Sequence, residues 1–258
     1  MSLQNNVFCM SRNNPKINSD WIEGDFSSYE DLRKLDGKSI DVTIHLAAVT
    51  GGCSERDGLL INVEGTRTLL NYLIKNGCKK FILASSIASV GVQNKKFRPS
   101  ILPINDEHPC FDRDGYGFSK FLMEEVSKYS YRQNPSIDVI NLRLAAISPD
   151  ENMPPPFKVE PLREWALCYI TLMTQSDAVR AFKMAADSPY KPGVRIMNAT
   201  GPKSWVADPV AEILETWWGN DVDLSYFKKV GNEFNSVYDV TRIKDEIGFV
   251  AKNITPGL

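Results

Sequence analysis

Phe81-Ile82-Leu83-Ala84-Ser85-Ser86 is an unbroken apolar run that ends in two hydroxyls. It lacks polar alternation, so both faces must be covered, which is the pattern of a strand inside a parallel sheet. The neighbouring segments repeat it. Asp41 to Ala48 is a second nearly continuous apolar strand, and Asp138 to Ala145, with Val139, Ile140, Leu142 and Leu144, is a third. Between the first two, Asn62 to Asn76 is an amphipathic helix with Val63, Leu69, Leu70, Leu73 and Ile74 on one stripe and Gly77 closing it. Between the last two, Tyr116 to Tyr131 is helical and Asn134-Pro135 ends it. Further upstream, Val7 to Met10 and Trp21 to Asp25 are short strands, and Ser27 with Glu30 has the spacing of a capping box. Strands that alternate with helices build βαβ units. The predicted fold class is therefore α/β, a doubly wound parallel sheet, whose ligands lie at the carboxyl ends of the strands.

The pattern changes after Ser148-Pro149. Pro154-Pro155-Pro156 and Pro161 mark an irregular loop. Helices follow at Asp177 to Ala186 and Pro209 to Trp218, with a short strand at Ile196 to Ala199 between them. Residues 149–258 are thus a mixed region that holds a small C-terminal substrate lobe and the remaining core elements. Trp165, Trp217 and Trp218 are packing residues of that region or an aromatic wall for a sugar ring.

Composition excludes several classes. The 258 residues carry a net charge of −2, which offers no basic footprint for nucleic acid. No apolar run approaches the roughly 18 residues of a membrane span, and the N-terminus has no apolar signal core. The five cysteines are dispersed with no Cys-x-x-Cys pair, as in reduced thiols of the cytoplasm. With two histidines and no ligand cluster, no metal site is expected.

One constellation carries chemistry. Tyr116 and Lys120 stand four apart at a helix start, so the phenol and the amine share a face. An ammonium beside a phenol favours the phenolate and is expected to lower its pKa. Such a tyrosine can move a proton at a carbinol or carbonyl, and Ser86, at a strand end, is placed to hold the same oxygen. This is the machinery that accompanies hydride transfer. By contrast, His45 lies inside an apolar strand and is expected to be a core histidine.

Taken in order, Gly24-Asp25, His45-Leu46-Ala47-Ala48, Asn62-Val63-Glu64-Gly65-Thr66, Ser85-Ser86 with Gly91, Tyr116-x-x-x-Lys120 and the tail from Tyr238 to Phe249 form one series. That series resembles the extended short-chain dehydrogenase/reductase family, in its NAD-dependent epimerase/dehydratase branch. The resemblance implies a Rossmann-like core over residues 1–148. It implies that Tyr116 is the acid/base, that Lys120 binds the nicotinamide ribose and tunes Tyr116, and that Ser86 holds the reacting oxygen. It implies that Asp25 contacts the adenine, although Asp25 equally suits a turn cap, and that Ala47 and Ala48 let a dinucleotide lie close. Asn62 takes a structural or relay role. A homodimer through the two helices is a family expectation.

The family opens with a strand, a glycine-rich turn and a helix, the start of a βαβ element of roughly 30 residues. Here Val7 to Met10 followed by Ser11-Arg12 resembles the family's second strand, so the first βα unit is missing from the pattern. Val49-Thr50-Gly51-Gly52 is read as a loop. Three outcomes are open: Val7 to Met10 slides into the vacant slot, another chain covers it, or the sequence is part of a longer protein. Dinucleotide binding by this 258-residue form is expected to be weak or absent. Where a strand of this type ends in an acid for NAD, Arg12 stands instead and suits a 2′-phosphate. The expected cofactor is thus NAD or NADP, with a lean to NADP.

The resemblance implies an NAD(P)-dependent oxidoreductase or epimerase acting on a sugar or nucleotide-sugar. Ile87 and Ala88, where sugar dehydratases of the family have an acid pair, argue against dehydration. The alternative is a non-catalytic Rossmann-like protein that has lost dinucleotide binding.

Overall fold

The structure is a computed structural model that describes residues 5–17, 19–161 and 164–252. In chain order its elements are β1 (Phe8–Ser11), β2 (Asp20–Glu23), α1 (Tyr29–Leu32), β3 (Val42–His45), α2 (Glu55–Asp57), α3 (Thr66–Lys75), β4 (Lys80–Ser86), α4 (Gly115–Gln133), β5 (Asp138–Leu144), β6 (Ala146–Ser148), β7 (Leu172–Thr174), α5 (Gln175–Asp187), β8 (Gly193–Ala199), α6 (Val210–Trp218) and α7 (Thr241–Ile247). A π-helical segment, Gly58–Gly65, leads into α3.

The centre is a four-stranded parallel sheet in the order β3-β4-β5-β8. Side chains alternate across it. Phe81, Leu83 and Val139 face one way and pack with Leu70, Leu73 and Met123 of α3 and α4. Ile82, Ala84, Ile140, Leu142 and Met197 face the other way, against Ala181, Phe182 and Ala185 of α5 and Ile243 of α7. Helices on both faces make the fold α/β and doubly wound, as the alternation predicts. The region beyond residue 148 contributes β8, α5 and α7 to this core. It also carries the short β6–β7 pair and an aromatic cluster in which Trp165 lies 5.5 Å from Trp217 and 6.0 Å from Trp218. Trp218 is fully buried and donates to the Phe97 carbonyl, so it is a packing residue.

The first two strands stand apart. β1 pairs with β2 in a separate parallel ladder, and among the described residues neither has a ladder to β3. Lys38, which leads into β3, lies 4.5 Å above the Phe8 ring at the start of β1. Phe26, just past β2, lies 4.7 Å from the His45 ring at the end of β3. The pair and the main sheet therefore run side by side in the same sense, with an open edge on β1 and another on β3. Val7 to Met10 does not join β3.

Two boundaries differ from the expectation. The third strand stops at His45, and Leu46 is 61 % exposed. Its partner β4 runs on from Leu83, opposite His45, to Ser86, so the chain after His45 leaves a ladder that an apolar run alone does not extend. At the first helix Ser28, not Ser27, is the cap and accepts the Asp31 amide.

Candidate active site

Ser86 ends β4 and opens a short turn, Ile87–Val90, in which its hydroxyl accepts the Ala88 amide at 3.1 Å. Gly91 closes that turn at φ 105°, and a Cβ there would sit 2.7 Å from the Phe111 backbone. Only glycine allows both the conformation and the contact. The loop thus held down carries Asp114, whose carboxylate accepts the Gly117 amide at 2.9 Å and caps α4. Tyr116 is in the first turn behind that cap.

The Tyr116 phenol lies close enough to Ser86 for the Ser86 hydroxyl to favour its ionised form. Burial pushes that phenol above its ordinary pKa, the Ser86 hydroxyl opposes the rise, and Cys53 and Asp114 nearby add to it. The expected depression by Lys120 does not appear. Lys120 is buried, and its ammonium donates to the Ala84 carbonyl at 2.7 Å, 5.8 Å from the Tyr116 ring centre. Burial lowers the Lys120 pKa to about 8, against the pull of the Glu124 charge. At about 8 the Lys120 amine still carries its proton at neutral pH, and the raised phenol keeps its own.

Asn62, in the π-helical segment, clamps this region. Its amide donates to the Val49 carbonyl at 3.0 Å and to Ser119 at 2.9 Å, while its oxygen accepts the Val49 amide at 2.9 Å. Ser119 in turn donates to the Tyr116 carbonyl at 2.7 Å. The loop after β3 is thereby tied to the turn of α4 that carries Tyr116.

The residues assigned to a cofactor are spread more widely. Asp25 accepts the Ser27 amide and hydroxyl at 2.9 and 2.7 Å, so in this structure it caps a turn. Arg12 is exposed past the end of β1, and Ala47 and Ala48 follow the end of β3, exposed and half-buried. His45 is a core histidine: its Nε2 lies 3.1 Å from the Thr66 hydroxyl and burial lowers its pKa to about 3. Among the described residues no group of three His, Cys, Asp or Glu could hold a metal, and no helix is long and apolar enough to cross a membrane. All five cysteines are unbridged. A surface cleft of about 510 Å³ between Phe97 and Phe111 does not include Ser86, Tyr116 or Lys120.

Several neighbours of the site escaped the sequence reading. Cys53 and Asp114 lie close enough to raise Tyr116. Glu124 and Arg143 form a bidentate pair one helical turn beyond Lys120. Arg143 gave a signal, because a charge inside the apolar run Val139 to Leu144 requires a buried partner.

The profile of the NAD dependent epimerase/dehydratase family matches residues 2–157. The chain belongs to that family. Rice (Oryza sativa subsp. japonica) UDP-glucose 4-epimerase 2 is 33 % identical over 107 residues, 40 % of this chain and 25 % of the rice protein. The chain covers only a quarter to two fifths of such curated epimerases. Among solved structures, a short-chain dehydrogenase/reductase superfamily protein from Agrobacterium tumefaciens with bound NAD superposes with TM-score 0.68 at 19 % identity, covering 96 % of this chain and 85 % of that one. The UDP-glucose 4-epimerase of Thermotoga maritima with UDP-glucose gives 0.66 at 16 %, covering 98 % and 88 %. These likenesses establish the epimerase/dehydratase fold.

Against that family frame the fit to a dinucleotide is one-sided. The family resemblance would assign Tyr116, Lys120 and Ser86 to the nicotinamide end. β1 is followed by Arg12-Asn13-Asn14-Pro15, with no glycine, and the Gly51-Gly52 turn after β3 leads only into the three-residue α2. The backbone donors that hold a pyrophosphate in such folds are not found among the described residues.

Proposed function

We propose that this chain is a nucleotide-sugar epimerase or oxidoreductase of its family, with Ser86, Tyr116 and Lys120 as its proton-transfer site. The observation that carries the reading is the convergence of Ser86, Tyr116 and Lys120 at the carboxyl end of β4, where Lys120 Nζ binds the Ala84 carbonyl 5.8 Å from the Tyr116 ring centre. A substrate hydroxyl placed beside Ser86 and Tyr116 would give its proton to Tyr116 in its phenolate form as its carbon loses a hydride, and would recover that proton from the phenol on reduction. Ser86 orients that oxygen. Lys120, anchored on the Ala84 carbonyl, fixes the slope of the helix face and supplies charge when protonated. A bound nicotinamide would accept and return the hydride. Relatives named as UDP-glucose 4-epimerases, and neighbours solved with NAD or UDP-glucose, support a UDP-sugar and an NAD-type cofactor. NADP through Arg12, a dimer through α3 and α4, and a cytoplasmic setting are the finer parts of the proposal. Exposed Phe118 and Tyr129 on α4 support the dimer.

A second reading has its own observation. The open edges of β1 and β3, with no pyrophosphate cradle beside them, favour weak dinucleotide binding by residues 1–258. Fluorescence titration with NADH and NADPH separates the readings: micromolar binding sinks the second, and tighter NADPH binding that Arg12→Ala abolishes supports the lean to NADP. For the site itself, Tyr116→Phe on a panel of UDP-sugars with NAD is expected to lower turnover by about 10²–10⁴-fold. Turnover within a few-fold of wild type would remove Tyr116 from the chemistry.

A further inference from the structure

α4 meets the end of β4 at three successive turns. Tyr116 lies beside Ser86, Lys120 donates to the Ala84 carbonyl at 2.7 Å, and Glu124 accepts the Ser85 hydroxyl at 2.6 Å. Spacing of four keeps the three on one helical stripe. The third contact belongs to a polar row that crosses the sheet at one level, in the register Ser85–Arg143–Asn198. Both Glu124 oxygens are engaged: Oε1 accepts Ser85 Oγ and Arg143 Nε at 2.9 Å, and Oε2 accepts Arg143 Nη2 at 2.8 Å. The remaining Arg143 nitrogen donates to the Asp106 carbonyl at 3.0 Å, and the Asp106 carboxylate accepts the Asn198 amide. Ser85, Glu124, Arg143 and Asn198 are each at most 5 % exposed.

We propose that Glu124 is a positioning residue which, by gripping Ser85 and Arg143, fixes the height of α4 on β4 and so holds Tyr116 in register with Ser86. The inference rests on the proton-transfer reading above. Stability alone does not account for the arrangement, because well-packed apolar side chains commonly replace a buried ion pair without loss. What apolar packing does not supply is a fixed register. Ser85 is the residue next to Ser86, so a hydroxyl locked at one fixes the backbone that presents the other. A reacting pair misplaced by about 1 Å loses about 10²-fold in rate, and only directional bonds hold a helix to that tolerance.

The test needs neither cofactor nor substrate. The protein is labelled with [¹³Cζ]-tyrosine, and the Tyr116 signal is assigned by its loss in Tyr116→Phe. Ser86→Ala defines the signal of an unbonded phenol. In Ser85→Ala, which keeps the ion pair, and in Glu124→Gln, the Tyr116 signal is expected to move toward the Ser86→Ala position, while Ser85→Thr restores the wild-type position. If Glu124→Gln does not fold, Ser85→Ala with its threonine rescue decides. A Tyr116 signal that stays at the wild-type position in folded Ser85→Ala overturns the proposal. With an active UDP-sugar, the same variants are expected to lose about tenfold in kcat at unchanged KM, which misplacement rather than lost binding produces. A moved signal with no turnover on any sugar leaves the positioning role intact and defeats the proposed activity. Turnover with an unmoved signal does the reverse.

Discussion

β4 and β1 are both parallel strands built from apolar residues, and they end in opposite situations. β4 has seven residues, a partner on each side and a burial pattern that is closed except at Ser86. β1 has four residues, one partner and no fully buried position. Their compositions are alike, so the difference comes from the neighbours. A strand is buried when ladders flank it and helices cover both faces. Met10 and Ile22 of the β1–β2 pair pack on the cluster that Leu69, Leu70 and Leu73 of α3 help to build, but among the described residues β1 has no strand on its other side.

Unfolding in urea is expected to expose that difference most strongly. Phe81→Ala removes a fully buried ring between α3, α4 and the sheet and should cost about 3–5 kcal/mol. Ile22→Ala, in the half-buried pair, should cost about 1 kcal/mol. Equal losses would mean that the pair is as integral to the core as β4, and would dissolve the comparison.

The same contrast explains what the sequence could and could not tell. β4, β5, α4 and the doubly wound class were legible because unbroken apolar runs and a 3.6-residue stripe each have one reading. Tyr116, Lys120 and Ser86 were legible as a group because helix spacing and strand ends are local. The partner of Lys120 was not, since the Ala84 carbonyl is 36 residues away and nothing local distinguishes it from the phenol. The π-helical segment Gly58–Gly65 reads as loop and helix by composition. It exists because Asn62 must reach both Val49 and Ser119. A Cβ at Gly115 would also lie 2.6 Å from Glu55, so the two segments touch through glycine. The end of β3 was misjudged because apolar residues alone do not hold a chain in a ladder: β4 runs on to Ser86, yet the chain leaves it after His45.

His45 joins the two regions and permits a smaller, pH-dependent test. Its ring touches Phe26 of the pair and lies 3.1 Å from Thr66 of α3, and burial first, then the Lys120 charge, lowers its pKa from 6.5 to about 3. The unfolded chain therefore binds this proton more readily, so stability is present above pH 6.5 and is lost as pH falls toward 3. Between pH 7 and pH 5 the loss from this residue should be about 2 kcal/mol. His45→Gln should flatten that stretch of the urea midpoint against pH. Since the strain falls where the pair meets the sheet, proteolysis at pH 5 should cut between β1 and β2 before it cuts α4. An unchanged slope in His45→Gln would show that other groups govern the acid side.

The smallest expected effect on stability is also the sharpest on the edge. The sheet ends at β8 on one side and at β3 on the other, and only the first is closed. On β8 the Asn198 amide is taken by Asp106, the Asn198 side chain donates to the carbonyls of Ile104 and Asp239, and Arg242 reaches the Ile196 carbonyl. Among the described residues no comparable hydrogen bonds cover the outer side of β3, and Val42 and Leu46 are 37 % and 61 % exposed beside it. An open parallel edge with apolar side chains recruits another strand unless a charge blocks it. Val42→Lys should therefore change unfolding stability by less than about 0.5 kcal/mol, yet reduce the concentration-dependent association seen by sedimentation velocity. The matching control is Asn198→Ala, which opens the guarded edge and should increase association. If the wild-type chain is monomeric at every concentration and Val42→Lys changes nothing, the β3 edge is shielded in solution. The contrast between the two ends of the sheet then fails, and with it the reason given for weak dinucleotide binding.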